Sequence, residues 1–289
     1  MIFNSTSSNS PLVPKANKLF INGEFPRSES GRSEPVYLHN SQKLQSYVCR
    51  ASRKDLRAAV TAAQVGLLSW QKKTAFNRGQ ILYRIAEMLS SRRLDLTSQI
   101  QDLFGSKESL AQEQINKSLE TLLYYAGFAD KLNQVLGSIN PVSGPFHNFT
   151  ALEPMGVVGI VYDQEFNLNS FFHQIASALC AGNSIVMIFD KPGSALLSDL
   201  AEILKTSDLP SGVVNLLSGS VEELSGHLAS HMEVQGLLVT TKSQDVLSEM
   251  QRLAVDNMKR VVNWNFTELS VGPLSALSET KTVWHPVGI

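Results

Sequence analysis

The sequence predicts an α/β protein with a doubly wound parallel sheet, and two observations lead to that prediction. From Met155 onward, short continuous apolar runs alternate with stretches of helical periodicity. Such apolar runs are typical of strands buried on both faces, as parallel sheets require. Strands separated by helices are joined by right-handed crossovers, so helices cover both faces of the sheet. The predicted arrangement is Rossmann-like.

The residues before this sheet predict a short strand and three helices. KLFINGEF at 18–25 is predicted to be a strand interrupted by an Asn-Gly turn. A helix is predicted to begin at Ser52, because serine caps helices and Asp55 is favourable in the first turn. The spacing of leucines and isoleucines predicts further helices over 77–92 and 109–135.

The sheet region and its flanks follow in order. Residues 138–152 contain two prolines and a glycine, and are predicted to form a loop or a protruding hairpin. Residues 264–289 are predicted to be a C-terminal extension, and residues 17–289 to form a single domain. The strands and helices of the sheet region are predicted at 157–162, 169–180, 184–189, 194–205, 213–217, 221–230, 237–240, 243–254 and 260–263.

Composition narrows the class of protein. The 289 residues are 43% hydrophobic and 18% charged with a net charge of −1, which predicts no nucleic-acid and no membrane partner. No apolar run approaches the roughly 20 residues of a membrane-spanning helix. Residues 1–16 are predicted to be a flexible polar tail and not a secretory signal. Two cysteines, Cys49 and Cys180, indicate no disulfide framework and a cytoplasmic location.

Asp163 and Glu165 are the first candidates for catalysis. They follow the apolar run GVVGIVY at 156–162, and open α/β sheets bind ligands beyond the carboxyl ends of their strands. Two carboxylates at this edge suit general acid–base chemistry. A solvated loop explains the same two residues, and the residues alone favour the loop.

Histidines and cysteines offer weaker candidates. His227 and His231 are spaced to share one helix face, but the glutamate and the third ligand of a zinc site are missing from the pattern. Cys49 lies in a predicted strand and Cys180 on a buried-looking helix, and neither has a base nearby in sequence. We interpret both cysteines as small core residues.

A phosphate-binding loop is the last candidate. SGSVEELSG follows a strand and opens a helix, which is the context of a dinucleotide-binding loop. Gly219 and Gly226 do not match the G-x-G-x-x-G spacing. Glu222 and Glu223 stabilise the helix dipole but repel a phosphate. A self-capped helix is therefore the favoured interpretation.

Several segments, in order and with matching spacing, resemble the NAD(P)-dependent aldehyde dehydrogenases over residues 18–263. They are LFINGEF, SRKDLRAAVTAAQVGLLSW, YYAGFADK, EPMGVVGIV, ALCAGNSIVM, LPSGVVNLLSG and NMKRV. The resemblance implies the family's nucleotide-binding half as a Rossmann-like domain with N-terminal helices. It also implies that the family's catalytic domain is absent from this chain.

The resemblance implies that the catalytic groups of the family are replaced. The family's asparagine that donates to the oxyanion corresponds to Glu165, and an ionised carboxylate only accepts and repels negative charge. The general-base position holds Trp264, and the nucleophilic cysteine is expected beyond Ile289. Without thiol and base, the chain is expected not to oxidise aldehydes alone.

The positions that hold the cofactor in the family are altered as well. Counted without a gap, the two ribose-binding positions fall on Ile188 and Lys191, although a local slip would let Lys191 serve as the lysine. Two loop glycines fall on Val221 and Ser225, and the segment that places the pyrophosphate ends at Lys242. The resemblance therefore implies no cofactor, with NAD(P) only if the site is unusual.

A narrower resemblance covers SGRSEPV, FNRGQILYRIAEML, LASHMEV and KTVWHPVGI, among other segments. These resemble the C-terminal, non-catalytic module of the sixteenth aldehyde dehydrogenase subfamily, here as a separate chain. The leading hypothesis is thus a pseudoenzyme that partners an active aldehyde dehydrogenase or forms a homo-oligomer.

Two segments are candidates for that association, and two other functions stay open. Residues 138–152 or KTVWHPVGI are expected either to add a strand to a partner sheet or to form a plain loop and a tail docked on the chain's own domain. The alternatives are an NAD(P)-dependent oxidoreductase with an unusual site and carboxylate chemistry through Asp163 and Glu165.

Overall fold

Strands and helices alternate along the computed structural model, which describes residues 14–189 and 192–288. The strands are β1 (Lys15–Asn17), β2 (Ser33–Tyr37), β3 (Leu44–Cys49), β4 (Ser138–Asn140), β5 (Phe146–Pro154), β6 (Val157–Asp163), β7 (Ser184–Phe189), β8 (Val214–Ser218), β9 (Gly236–Thr241), β10 (Arg260–Asn263) and β11 (Ser278–Pro286). The helices are α1 (Arg53–Gln71), α2 (Ala75–Ser91), α3 (Arg93–Phe104), α4 (Glu108–Phe128), α5 (Leu132–Leu136), α6 (Leu168–Cys180), α7 (Leu197–Lys205), α8 (Val221–Ala229), α9 (Gln244–Ala254) and α10 (Gly272–Ala276).

A five-stranded parallel sheet lies at the centre of the molecule in the order β10-β9-β6-β7-β8. The chain runs outward from β6 to β8, crosses back, and continues outward through β9 and β10. This is the doubly wound order of the Rossmann fold. All six residues of β7 and all five of β8 are buried, as strands covered on both faces must be. The predicted fold class is confirmed.

Helix α1 illustrates how local sequence fixes an element of this fold. Ser52 accepts from the backbone N–H groups of Lys54 and Asp55, and the Asp55 carboxylate accepts from the Ser52 N–H, so the predicted cap is a complete capping box. At the other end, the fully buried Trp70 donates from its indole nitrogen to the Leu179 carbonyl at 3.0 Å. Gly66 lets this helix approach the Gly212–Val213 peptide.

The predicted long helix over 109–135 is wrong as a single element. Helix α4 ends at Phe128, and α5 begins only at Leu132. A tight turn separates them, in which the Lys131 ammonium donates to the Gly127 carbonyl and pairs with Asp130 at 2.8 Å. Helix α3 was not predicted, because only four of its twelve residues are buried and its apolar pattern is sparse.

The first described strand begins at Lys15, inside the segment predicted to be a flexible tail, and it pairs in parallel with β3. Residues 1–13 lie outside the described part of the chain. Within the described residues, no helix has the length and apolar character needed to cross a membrane.

A second, antiparallel sheet in the order β11-β5-β4 contains the segment predicted as a loop or hairpin. Strands β4 and β5 form that hairpin, and Ser138 lies opposite Thr150. Strand β11 pairs with the other edge of β5 along its whole length. The segment KTVWHPVGI is thereby docked on the chain's own domain, through residues 281–286.

Candidate active site

The carboxyl ends of β6 and β9 mark the point where the strand order reverses, which is where open α/β sheets bind ligands. Asp163 ends β6 and lies opposite Thr241 of β9. The Thr241 hydroxyl donates to the Asp163 carboxylate at 2.7 Å and accepts from the Ser243 N–H at 3.0 Å. The Asp163 carboxylate therefore links the ends of β6 and β9. This is a structural contact, whereas the sequence alone left the role of Asp163 open.

The loop after β6 is held by its neighbours and leaves Glu165 in solvent. Phe166 turns inward and is 8% exposed, with its ring centroid 5.9 Å from that of Phe104. The Tyr162 hydroxyl accepts from the Asn167 N–H at 3.1 Å, and the Asn167 side chain caps α6. Glu165 itself is exposed. A carboxylate at this loop position is a hydrogen-bond acceptor and supplies no donor.

Trp264 occupies the carboxyl side of the sheet just beyond β10. Its backbone N–H donates to the Val239 carbonyl at 2.8 Å, which extends the strand pairing by one residue. The indole is 7% exposed and meets the rings of His173 and Phe266 edge-on, with both centroids 5.1 Å away. An aromatic ring with this packing contributes apolar surface and no group that takes up a proton.

A buried polar pair, Tyr125 and His173, lies beneath Trp264, and no sequence pattern predicts it. The Tyr125 hydroxyl and the His173 Nε2 atom are 2.8 Å apart, and the same hydroxyl lies 3.3 Å from the Ser270 carbonyl oxygen. Burial lowers the pKa of His173 to about 4 and raises the pKa of Tyr125. Both groups are therefore neutral at pH 7. The pair joins α4 to α6 across 48 positions, a separation that no local pattern reveals.

The predicted cofactor positions do not form one polar cluster. Ile188 and Val221 belong to the apolar core on one side of the sheet, with 0% and 4% exposure. Ser225 is 5% exposed within α8, whereas Lys242 lies in solvent before α9. Lys191 lies outside the described residues. Ile188 has no polar atom for a ribose hydroxyl, so this set does not fit the ribose contact that the resemblance assigns to it.

The N-terminus of α8 is capped by the Ser220 side chain and carries two acidic residues in its first turn, Glu222 and Glu223. Ser220 accepts from the Glu223 N–H at 3.2 Å, so the helix is self-capped as predicted. Glu223 accepts a two-pronged contact from Arg32, at 2.8 and 3.2 Å, and a second from Arg50 at 2.9 Å. The hydrogen bonds from Arg32 and then Arg50 lower the pKa of Glu223 to about 2. Because its pKa is so low, Glu223 stays ionised near neutral pH and keeps a negative charge at the N-terminus of α8.

The weaker candidates have structural roles or remain ordinary surface groups. His227 and His231 lie near the end of α8, and no cluster of three metal-ligating side chains occurs in residues 14–189 and 192–288. Cys180 is buried in the core, and burial raises the pKa of its thiol to about 12. Cys49 is only half-buried: it packs against the core on one side and lines a surface cavity of about 350 Å³, so the interpretation as a core residue holds only in part.

Comparisons with known proteins give a consistent result. The model of the "Aldehyde dehydrogenase family" matches residues 25–263. The chain is 32% identical to human retinal dehydrogenase 2 over 257 residues, and 30% identical to mitochondrial benzaldehyde dehydrogenase of Antirrhinum majus over 256 residues. These alignments cover 86% and 87% of this chain, but 48% and 47% of the relatives. The chain thus spans about half the length of the curated relatives it matches.

Solved structures show the same relationship. The NAD+ complex of aldehyde dehydrogenase from Bacillus cereus superposes with a TM-score of 0.79 at 28% identity. The superposition covers 86% of this chain and 50% of the bacterial chain. The similarity therefore extends from sequence to fold over the same half of the larger protein.

Proposed function

Because the chain belongs to the aldehyde dehydrogenase family, we propose that it is a catalytically inactive member that serves as an assembly or regulatory partner of an active aldehyde dehydrogenase. The observation that carries the proposal is Trp264, whose packed indole lies where the sequence resemblance assigns the general base. Glu165, at the oxyanion-donor position, supports it, since a carboxylate opposes the charge that develops on an acyl-transfer oxyanion. The narrower resemblance to a non-catalytic module supports it too.

An activity assay tests the inactive state directly. The purified chain is incubated with retinal, benzaldehyde or octanal and either NAD+ or NADP+, and reduced cofactor is followed by absorbance. We expect no rate above the protein-free background. Turnover that disappears when Glu165 or Asp163 is replaced by alanine would instead establish a working site on this chain.

The β11-β5-β4 sheet supports the part of the proposal that concerns association. Among the described residues, strand β11 is paired on one edge only, and Val283 and Trp284 within it are 41% and 58% exposed. On β5, Phe146 is 42% exposed and stacks edge-on against Trp284 at 5.8 Å. A long edge strand with exposed apolar side chains is a template for strand addition. An active family member or a second copy of this chain would fit that edge.

Sedimentation velocity and co-purification test this association. A tagged chain is recovered from its native cell, and mass spectrometry checks for an aldehyde dehydrogenase in a fixed ratio. We expect such a complex or a homo-oligomer, and its loss in a Val283→Lys/Trp284→Lys variant. Leu94→Lys is the matched control, because Leu94 is 80% exposed and lies on α3, outside this sheet. A chain that is monomeric and recovers no aldehyde dehydrogenase contradicts the proposal.

The cytoplasmic location is part of the same proposal. Cys49 and Cys180 are both free thiols, which fits a reducing compartment. Fluorescence microscopy of the tagged chain in its native cell is the corresponding measurement.

A second candidate is an NAD(P)-dependent oxidoreductase with an unusual site. The strand order with its switch point favours it, because that order creates a crevice for a dinucleotide. Calorimetric titration with NAD+ and NADP+ separates the two candidates. The inactive partner is expected to bind neither cofactor tighter than about 1 mM, since Ile188 and Val221 are core residues. Micromolar affinity would favour the oxidoreductase.

A further inference from the structure

A groove of about 560 Å³ lies between α1 and the turn at residues 21–24. Its apolar lining comes from Ile21, Ala58, Ala62 and Val65. Val65 is 60% exposed, although it is a large aliphatic side chain. The groove therefore presents an apolar surface that the described part of the chain leaves in contact with water.

The wall opposite α1 is a preformed turn. Asn22 and Gly23 have φ values of 54° and 73°, which are left-handed conformations, and the Ile21 and Glu24 backbones bridge across them. The Asn22 N–H donates to the Asn215 side-chain oxygen at 2.9 Å, which fastens the turn to β8. A ligand would meet a wall already in place, so little ordering cost accompanies binding.

One end of the groove carries an uncompensated positive charge. Lys54 pairs with Glu29 at 3.2 Å. Arg57, one turn further along, has neither an ion pair nor a hydrogen bond with any described residue. The Glu24 carboxylate, in the turn that forms the opposite wall, lies 3.6 Å from the Lys205 ammonium. The Arg57 guanidinium is thus free to take a carboxylate in a two-pronged contact.

The cationic end and the apolar end are separated by a defined distance. Arg57 and Val65 are eight positions apart on one helix face, which is about 12 Å at the helical rise. Thr61 and Asn22 add polar groups along the sides. An anionic head at Arg57 and an extended aliphatic tail reaching Val65 match this arrangement in charge and in length.

We propose that this groove binds a medium-chain fatty carboxylate, with the head group on Arg57 and the tail along Ala62 and Val65. The ligand class follows from the pairing of one free guanidinium with an apolar floor, because small-molecule sites combine apolar lining with few, well-placed polar groups. This site is separate from the altered catalytic positions, so it stands whether or not the chain is an enzyme.

Calorimetric titration with decanoate, kept below its micelle concentration, tests the proposal on the full chain. We expect saturable binding with one site per chain. Arg57→Gln is expected to weaken it about tenfold, by loss of a charge-assisted contact. Val65→Ser is expected to weaken it by a smaller factor, and decanol to bind less tightly than decanoate. Both altered side chains are exposed, so the variants keep the fold.

Arg53→Gln is the matched control, because Arg53 precedes Arg57 by one turn on α1 but does not line the groove. Its affinity for decanoate is expected to equal that of the unaltered chain. Equal weakening by Arg53→Gln and Arg57→Gln would show nonspecific charge attraction and overturn the proposal. Absence of saturable decanoate binding would overturn it as well, and would leave the groove to a protein segment.

Discussion

At the residue scale, Trp264 is a packing residue, whose buried indole contacts the rings of His173 and Phe266. Truncation by Trp264→Ala removes a buried indole from between His173 and Phe266, and is expected to cost about 3 kcal/mol or more of the free energy of unfolding. Urea denaturation followed by circular dichroism measures the change. Leu94→Ala is the control, because Leu94 is 80% exposed and its loss is expected to cost under about 0.5 kcal/mol. Similar losses for both would contradict the assigned packing.

The lowered pKa of His173 makes the stability of the fold depend on pH. Its pKa is lowered to about 4 in the folded state from 6.5, so the unfolded chain binds the proton more readily between these values. Stability contributed by neutral His173 is fully present above pH 6.5 and is lost as the pH falls towards 4, by up to about 3 kcal/mol. Chemical denaturation at several pH values is expected to show this slope. In His173→Gln the slope over this window decreases, while in His39→Gln, at an exposed position after β2, it persists.

Two helix glycines give opposite predictions at the element scale. A Cβ on Gly66 of α1 would lie 2.3 Å from the Gly212 carbonyl carbon, whereas a Cβ on Gly127 of α4 meets nothing within 4 Å. Gly66→Ala is therefore expected to cost about 1–3 kcal/mol of stability by overpacking. Gly127→Ala is expected to add about 0.5–1 kcal/mol through helix propensity. Thermal unfolding of the two variants checks both signs, and destabilisation by Gly127→Ala would contradict the open space at that position.

The elements also show which features a sequence pattern can predict. Strands β7 and β10 agree with their predicted bounds, because continuous apolar runs and strand lengths identify buried strands directly. The break between α4 and α5 was missed because apolar spacing continues through it, from Leu122 to Leu132. The Tyr125–His173 pair and the Thr241–Asp163 hydrogen bond were missed because they depend on contacts between distant positions. Local pattern predicts elements, and tertiary packing decides what their polar residues do.

At the scale of the whole molecule, a charged network joins the three-stranded sheet β1-β3-β2 to helix α8, which packs on the central parallel sheet. Glu223 on α8 binds Arg32 and Arg50, and Arg50 also pairs with Glu34 on β2 at 2.8 Å. Glu223→Gln is expected to lower stability by about 1 kcal/mol, since the network is partly exposed. Because the Glu223 pKa is about 2, the contribution is present above pH 4.5 and is lost as the pH falls towards 2.

Urea denaturation at pH 7 and at low and high salt measures this contribution. Salt is expected to reduce the difference between Glu223→Gln and the unaltered chain, because partly exposed charges are screened. Glu249→Gln is the control, since Glu249 forms a local pair with Arg252 on α9 and joins no separate parts of the molecule. An equal effect of both substitutions would contradict the special role of the network.

The pairing of β11 with β5 has a consequence for the order in which the chain folds. Thr150 and Thr282 touch across this pair although 132 positions separate them. Bringing such distant positions together lowers the entropy of the chain, and the hydrogen bonds that offset this loss form only after the strands have met. During synthesis, β5 emerges before β11, so the edge of β5 that pairs with β11 stays unpaired until β11 has been made. Until β11 has been synthesised, the edge of the nascent β4-β5 hairpin is open to strand pairing with a neighbouring chain, so β11 also protects the protein from misassembly.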